Sequence, residues 1–192
     1  KTGILELAQR LVKNNVEILS SGGTAKYLVE NGIQVTEVSD YTGSPEMFDG
    51  RVKTLHPKIH AGILARGEKD RKELEKFGAK KIDLVVVNLY PFAEEVAKKS
   101  SDQEIIEKID IGGPAMLRAA AKNHQRVTVV TDPDDYKIVI NELDKNGETS
   151  IELRTKLAKK VFEKTSHYDL MIYNYLNRTD KELKNSLPNS LN

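Results

Sequence analysis

The chain predicts an α/β domain built on a mostly parallel sheet. Short β-branched runs alternate with segments of helical period, and the run 82–87 is almost continuously apolar between polar flanks, as in a strand buried on both faces. At 192 residues the chain has the size of one domain with a single core, or of one domain and a tail.

The elements follow in order. Ile4, Leu5, Ala8, Leu11 and Val12 fall on one face of a 3.6-residue period, so residues 2–13 are expected to form an amphipathic helix. A strand at 16–19, a small-residue turn at 20–23, a helix at 24–30 ended by Gly32 and a strand at 35–38 come next. Residues 39–51 are rich in Ser, Asp, Gly and Pro, a loop too long to be a simple connection. Helices are predicted at 56–65 and 69–77, the buried strand at 82–87, then helices at 92–99, 103–109 and 113–123. A strand at 126–131 and a helix at 133–145 precede a long helix at 150–176, with Leu157, Val161, Lys164, Tyr168, Ile172 and Tyr175 along one face, expected to lie across the domain or against a second subunit. Residues 178–192 have no periodicity and read as a linker or frayed tail after a domain at 1–177. A parallel sheet normally opens with a strand, because each helix crosses between two strands. This chain opens on a helix and without Met, so a first strand is expected to precede Lys1.

Composition excludes several classes. The 30 Lys+Arg and 29 Asp+Glu leave a net charge of +1, so no global field draws nucleic acid or a membrane surface. The absence of cysteine removes disulfides, thiolate metal sites and a cysteine nucleophile, and fits a reducing cytoplasm. No apolar run approaches the ~20 residues of a membrane helix.

Four stretches could carry chemistry. Ser21, Gly22, Gly23 and Thr24 follow a strand and open a helix, where free N–H groups and hydroxyls can converge on an anion; the same residues also suit an ordinary N-cap turn. The stretch 49–57 sets Arg51, Lys53, Thr54 and His56 between a loop and a helix start, either as an anion grip or as solvated charges. His56 and His60 have the i, i+4 spacing of a metal pair, but no cysteine or zincin glutamate accompanies them, and no metal site is expected. Asn88 to Phe92 stand where the buried strand ends, the position at which ligands of open α/β sheets collect; Tyr90 there is either functional or an amphipathic plug. Asp110, Gly112 and Gly113 precede a helix that ends at Lys122. Asp110 suits an N-cap and Lys122 a helix C-terminus, but the doubled glycine also allows close approach of a ligand.

Taken together, these strings resemble the inosine monophosphate (IMP) cyclohydrolase domain of the bifunctional purine-biosynthesis PurH family. They are Lys1-Thr2-Gly3, the Ser21 to Ala25 turn, Asp49 to Pro57 with His60-Ala61-Gly62, Asn88 to Phe92, and Asp110 to Gly113 continuing through Arg118 to His124. They occur in the family's order over nearly the whole chain. The resemblance implies a methylglyoxal-synthase-like fold, a three-layer α/β/α sandwich around a central parallel sheet, in a homodimer. It places the family's first strand and a Ser-x-Ser-Asp stretch just before Lys1. Pro114 departs from the Val of many relatives, at a helix start where proline costs little.

The implied reaction is the dehydrative closure of 5-formamidoimidazole-4-carboxamide ribonucleotide to IMP, with no cofactor. The resemblance assigns Lys53 and Lys122 to the developing oxyanion, Asp110 to the amide proton and Tyr90 to the departing oxygen. It gives the phosphate to Lys1, Thr2, Ser21, Gly22, Gly23, Thr24 and Arg51, with Thr54 also binding substrate and Asn88 and Gly112 touching ribose or base. A C-terminal domain of the full-length family, which formylates the carboxamide precursor, would lie beyond these residues. The rival readings are a regulatory nucleotide-binding module of the same fold, as in carbamoyl phosphate synthetase, and methylglyoxal synthase itself.

Overall fold

Ten α-helices and four short strands alternate through the residues that the computed structural model describes, 1–89, 92–98 and 100–179. Helix α1, Ile4–Lys13, buries Leu7, Ala8 and Leu11. Asn15 then takes a left-handed φ of 58° and the Val16 N–H donates to the Leu11 carbonyl, closing the helix. That closure uses residues expected to begin a strand, so β1 is only Leu19–Ser20.

Helix α2 is Gly22–Glu30, and β2 is Thr36–Glu37, parallel to β1 with Leu19 opposite Thr36. Val38 was expected to end the strand but instead opens a helix, α3 (Val38–Thr42), closed by Gly43 at φ 74° and by the Thr42 hydroxyl donating to the Val38 carbonyl. The long loop expected at 39–51 is therefore part helix and part a tight reversal in which Met47 and Val52 pair antiparallel.

Helix α4 is Pro57–Leu64, and a 3-10 turn at Gly67–Asp70 leads into α5, Arg71–Lys76. Strand β3, Leu84–Val86, pairs in parallel with β4, Thr128–Val130, and Val85 lies opposite Val129. Between them come α6 (Phe92–Ala97), α7 (Asp102–Glu107) and α8 (Gly112–Lys122). After a 3-10 turn at Pro133–Asp135 follow α9 (Tyr136–Asn146) and α10 (Ile151–Leu176). The expected tail begins inside a further 3-10 turn, Asn177–Thr179, and residues 180–192 lie outside the described residues.

The mixed α/β class and the parallel pairing agree with the sequence. The ladder bonds form two separate two-stranded pairs, β1–β2 and β3–β4. One core nevertheless takes in β3, β4 and the residues that flank β1 and β2. Leu7 and Leu11 of α1, Val38 beside β2, Ile59 and Ile63 of α4, and the valines of β3 and β4 belong to a single buried cluster. Leu117 and Ala120 of α8 and Leu157 and Val161 of α10 complete it, and α10 packs on both α8 and β4. Burying such side chains contributes about 1.5–3 kcal/mol each.

The far half of α10 makes a second cluster. Tyr168 and Tyr175 meet Phe92 of α6 edge-on, at ring separations of 6.2 and 5.7 Å, and Ile105 of α7 joins them. Of the expected face of α10, Lys164 alone turns to an ion pair, 3.0 Å from Asp132. The aromatic cluster sets the path of the chain from α7 into α8, where the candidate site lies.

Candidate active site

An open cleft of about 840 Å³ lies between the 48–55 segment, the end of β3 and the passage from α7 into α8. Its walls include Arg51, Lys53, Thr54, Asn88, Asp110 and Gly112. Six residues expected at the site, distant in sequence, thus share one cavity of small-molecule size.

Each is held there by local chemistry. Helix α4 starts abruptly because Pro57 occupies its first position and His56 Nδ1 accepts the Lys58 N–H at 3.1 Å. That start fixes Lys53 and Thr54 immediately before it. His56 is thereby engaged as a helix cap, and among the described residues no group of three His, Asp or Glu side chains could hold a metal ion. The Asp110 carboxylate accepts the Gly113 N–H at 2.9 Å, and the Asp110 N–H donates to the Tyr168 hydroxyl at 2.8 Å. Asp110 is therefore pinned from two directions at the start of α8. A Cβ on Gly112 would stand 2.7 Å from Thr54 Oγ1, and one on Gly113 would collide with the Asp110 carboxylate and come within 3.1 Å of Val87 Cγ1. The doubled glycine brings α8 against both site segments.

The cations sit in weak pairs. Lys53 Nζ is 3.6 Å from Glu46, and Arg51 Nε is 3.4 Å from Glu107, with the Arg51 side chain 66% exposed. Such pairs contribute at most about 1 kcal/mol, so an incoming anion can displace either carboxylate. Lys53 Nζ also lies 3.3 Å from the position a Cβ on Gly22 would take, which joins the cleft to the start of α2. There Ser21 is the residue before the first turn without capping it through its side chain, and Lys1 Nζ donates to the Gly23 carbonyl and covers the Tyr27 ring. Thr24 lies in the first turn of α2, and Thr2 is exposed in the turn before α1. The Lys1 and Ser21 to Thr24 group therefore adjoins Lys53.

Two expected residues stand apart from this geometry. Tyr90 lies outside the described residues. Lys122 is exposed at the last position of α8, a helix length of about 15 Å from Gly112. Its neighbour Asn123 bonds the Ile63 and Ala65 carbonyls at the far end of α4. The chain does not bring Lys122 into the cleft with Lys53 and Asp110.

Two further residues support the site that sequence patterns could not single out. Asn88 Nδ2 donates to the Tyr136 hydroxyl at 2.8 Å, and Tyr136 itself is buried against Gly3. Burial pushes the phenols of both Tyr136 and Tyr168 above their ordinary value, which keeps them neutral. In the sequence they are apolar-face residues of helices; only tertiary packing turns their hydroxyls toward Asn88 and Asp110.

A cleft at the carboxyl end of a parallel strand, walled by helix starts and cations, defines a small-molecule site on an α/β domain. The chain belongs to the MGS-like domain family, whose model matches residues 3–115. A second family model, the AICARFT/IMPCHase bienzyme, matches residues 120–192. Among its relatives, the bifunctional purine biosynthesis protein PurH of Ruminiclostridium cellulolyticum is 53% identical over 182 residues, 93% of this chain and 35% of that protein. PurH of Persephonella marina is 56% identical over 179 residues, 92% of this chain and 35% of that protein. The chain spans about 35% of the length of these relatives. The crystal structure of ForH superposes with a TM-score of 0.77 at 36% identity, covering 89% of this chain and 91% of that one.

Proposed function

We propose that this domain is an IMP cyclohydrolase, closing the pyrimidine ring of 5-formamidoimidazole-4-carboxamide ribonucleotide to give IMP and water. One observation carries the reading: Arg51, Lys53, Asn88, Asp110 and Gly112 line one cleft beside the Ser21 to Thr24 helix start, in a chain more than 50% identical to PurH proteins.

In the first step the carboxamide nitrogen attacks the formyl carbon of the same imidazole. An N–C bond forms, the carbonyl π pair moves onto oxygen, and the nitrogen gives up a proton. The carbinolamine then expels its protonated oxygen as water, and loss of the formamido N–H proton leaves the C=N bond of IMP, the former carboxamide nitrogen keeping its hydrogen. Because the two groups are already tethered, proximity that can be worth about 7–11 kcal/mol is built into the substrate. What remains for the protein is to hold the groups in register and move protons. Lys53 faces the oxygen as charge develops on it. Asp110, fixed by the Gly113 and Tyr168 bonds, accepts the amide proton. Tyr90 donates to the departing oxygen. Lys1, Thr2, Ser21 to Thr24 and Arg51 hold the 5′-phosphate, aided by the positive end of α2, while Thr54, Asn88 and Gly112 bind ribose or base.

The domain works as a homodimer on this reading. Lys122, at the far end of α8, then serves the oxyanion of a second copy's cleft. We also infer that the two parallel strand pairs are halves of one central sheet between helical layers, which is supported by Ile18 and Val38, the residues flanking β1 and β2, packing into the same core as β3 and β4. In the full-length protein a transformylase domain would supply the formylated nucleotide, in keeping with the bienzyme match over 120–192. The reading implies a cytoplasmic enzyme without cofactor.

The test is ultraviolet detection of IMP formed from the formylated nucleotide. Lys53→Ala and Asp110→Asn should each lower turnover by about 10²-fold or more, in the range of a lost oxyanion donor or general base. Near wild-type rates in both would overturn the assignment. Binding of IMP without turnover would favour a regulatory module, and release of methylglyoxal from dihydroxyacetone phosphate would favour the lyase.

A further inference from the structure

The tip of the 47–52 reversal is built at an energetic cost and holds an aromatic ring in solvent. Met47 and Val52 exchange backbone bonds of 3.0 and 3.2 Å, and the Arg51 N–H donates to the Phe48 carbonyl at 3.1 Å. Between them the backbone is left-handed at three successive residues: Phe48 at φ 54°, Asp49 at 54° and Gly50 at 86°. Glycine takes that conformation freely, but phenylalanine and aspartate do so against the clash of Cβ with the backbone. Phe48 is also 72% exposed. A strained backbone that presents a large apolar side chain to water lacks a reason within the fold, where the ring buries little.

The surroundings supply one. Phe48 lines the cleft, and Leu55, Ile106 and Ile111, also exposed, line it too. The same wall also carries the polar Asn88, Thr54 and Asp110, and the cationic Lys53 stands toward the α2 start. The cleft therefore combines cations, hydrogen-bonding groups and exposed apolar side chains in one lining. A phosphate ester carrying a flat heteroaromatic ring matches this lining: phosphate at the Ser21 to Thr24 helix start beside the cleft, polar ring edge toward Asn88, Thr54, Asp110 and Lys53, ring face against Phe48.

We propose that Phe48 is the stacking platform for the nucleobase and makes the cleft select base-bearing phosphates over base-free ones. This rests on the nucleotide reading above. Stacking on an aromatic ring is a face contact that tolerates both the imidazole of the substrate and the purine of the product, so one residue can hold the ligand through ring closure.

Calorimetric titration of the purified protein with IMP and with ribose 5-phosphate tests it. Phe48→Ala should weaken IMP binding about tenfold while changing ribose 5-phosphate binding less than twofold, and Phe48→Tyr should restore IMP affinity. The chain contains no tryptophan, so Phe48→Trp adds a single fluorophore. Its emission should be quenched by IMP and left unchanged by ribose 5-phosphate. Unchanged IMP affinity in F48A, or equal loss of both ligands, would overturn the platform while wild-type binding of IMP left the nucleotide reading intact. A wild-type protein that takes neither IMP nor its formylated precursor would overturn that reading itself, and the platform with it.

Discussion

Gly113 shows how narrowly the site is set at the level of single residues. Its backbone N–H holds the Asp110 carboxylate, and there is no room for a methyl group between them. Gly113→Ala should therefore displace that carboxylate. We expect turnover to fall by about 10²-fold, as for loss of the general base proposed above, with circular dichroism showing the domain still folded. Paired assays of rate and ellipticity would check this; a G113A protein with wild-type turnover would mean that Asp110 tolerates displacement. At this scale much was legible in the sequence. Thr54, Asn88, Asp110 and Gly112 were readable because small, polar and charged residues interrupt apolar periodicity just where strands end and helices begin. Tyr136 and Tyr168 were not, because a tyrosine on a helix's apolar face gives no sign of where its hydroxyl will arrive. Phe48 escaped notice for a different reason. Its left-handed backbone is a property of the closed turn, not of a residue type that favours such a turn.

Helices were easier to read than strands. All the long helical segments lie within a few residues of their expected bounds, since an amphipathic period over ten or more residues leaves little ambiguity. Strands here are two or three residues long, too short for a period to show, and their ends are taken over by helix-closing bonds such as Val16 to Leu11. Two pairs rather than one ladder could not be read at all, because apolar runs reveal burial and not neighbours. One inter-element contact lends itself to a sharp test. A Cβ on Gly62 of α4 would lie 2.5 Å from the Lys80 carbonyl oxygen and 3.0 Å from Ile82 Cγ1. The carbonyl is backbone and cannot swing aside. Gly62→Ala should destabilise the domain by about 1–3 kcal/mol, as overpacking does, and thermal denaturation should show a midpoint several degrees lower; an unshifted midpoint would mean that the 80–82 segment yields freely.

For the whole molecule, acid sensitivity should centre on a charge cluster that ties the β4–α9 connection to α10. Asp132 Oδ2 lies 3.0 Å from both Lys160 and Lys164, and its Oδ1 accepts the Asp134 N–H at 3.1 Å. The Lys160 bond foremost, then Lys164 and the Asp134 N–H, hold its carboxyl well below the usual aspartate range, against an opposing effect of burial. A depressed carboxylate stabilises the fold above the ordinary aspartate pKa of about 3.9 and ceases to do so as pH falls through its folded value. Asp132→Asn keeps an oxygen for the Asp134 N–H but loses the charge. It should cost roughly 1.5 kcal/mol at pH 7, and the difference from wild type should begin to narrow below about pH 4 and close only at the much lower pH where the folded carboxylate itself takes a proton; urea melts stepped down from pH 7 through the acid range would reveal it, and a gap that does not narrow at all would exclude charge as its source. A feature remote from the cleft has its own bearing on the cleft. Asn123 and Arg126 collect the carbonyls of Gly62, Ile63 and Ala65, and Arg126 also grips Asp83. Helices α4 and α8 thus run side by side, latched at their tails, with both heads opening on the same cavity. The two rods behave like the arms of tweezers: the gap at the tips is governed by the joint at the back, so Thr54 and Asp110 keep their spacing through residues outside the lining of the cleft.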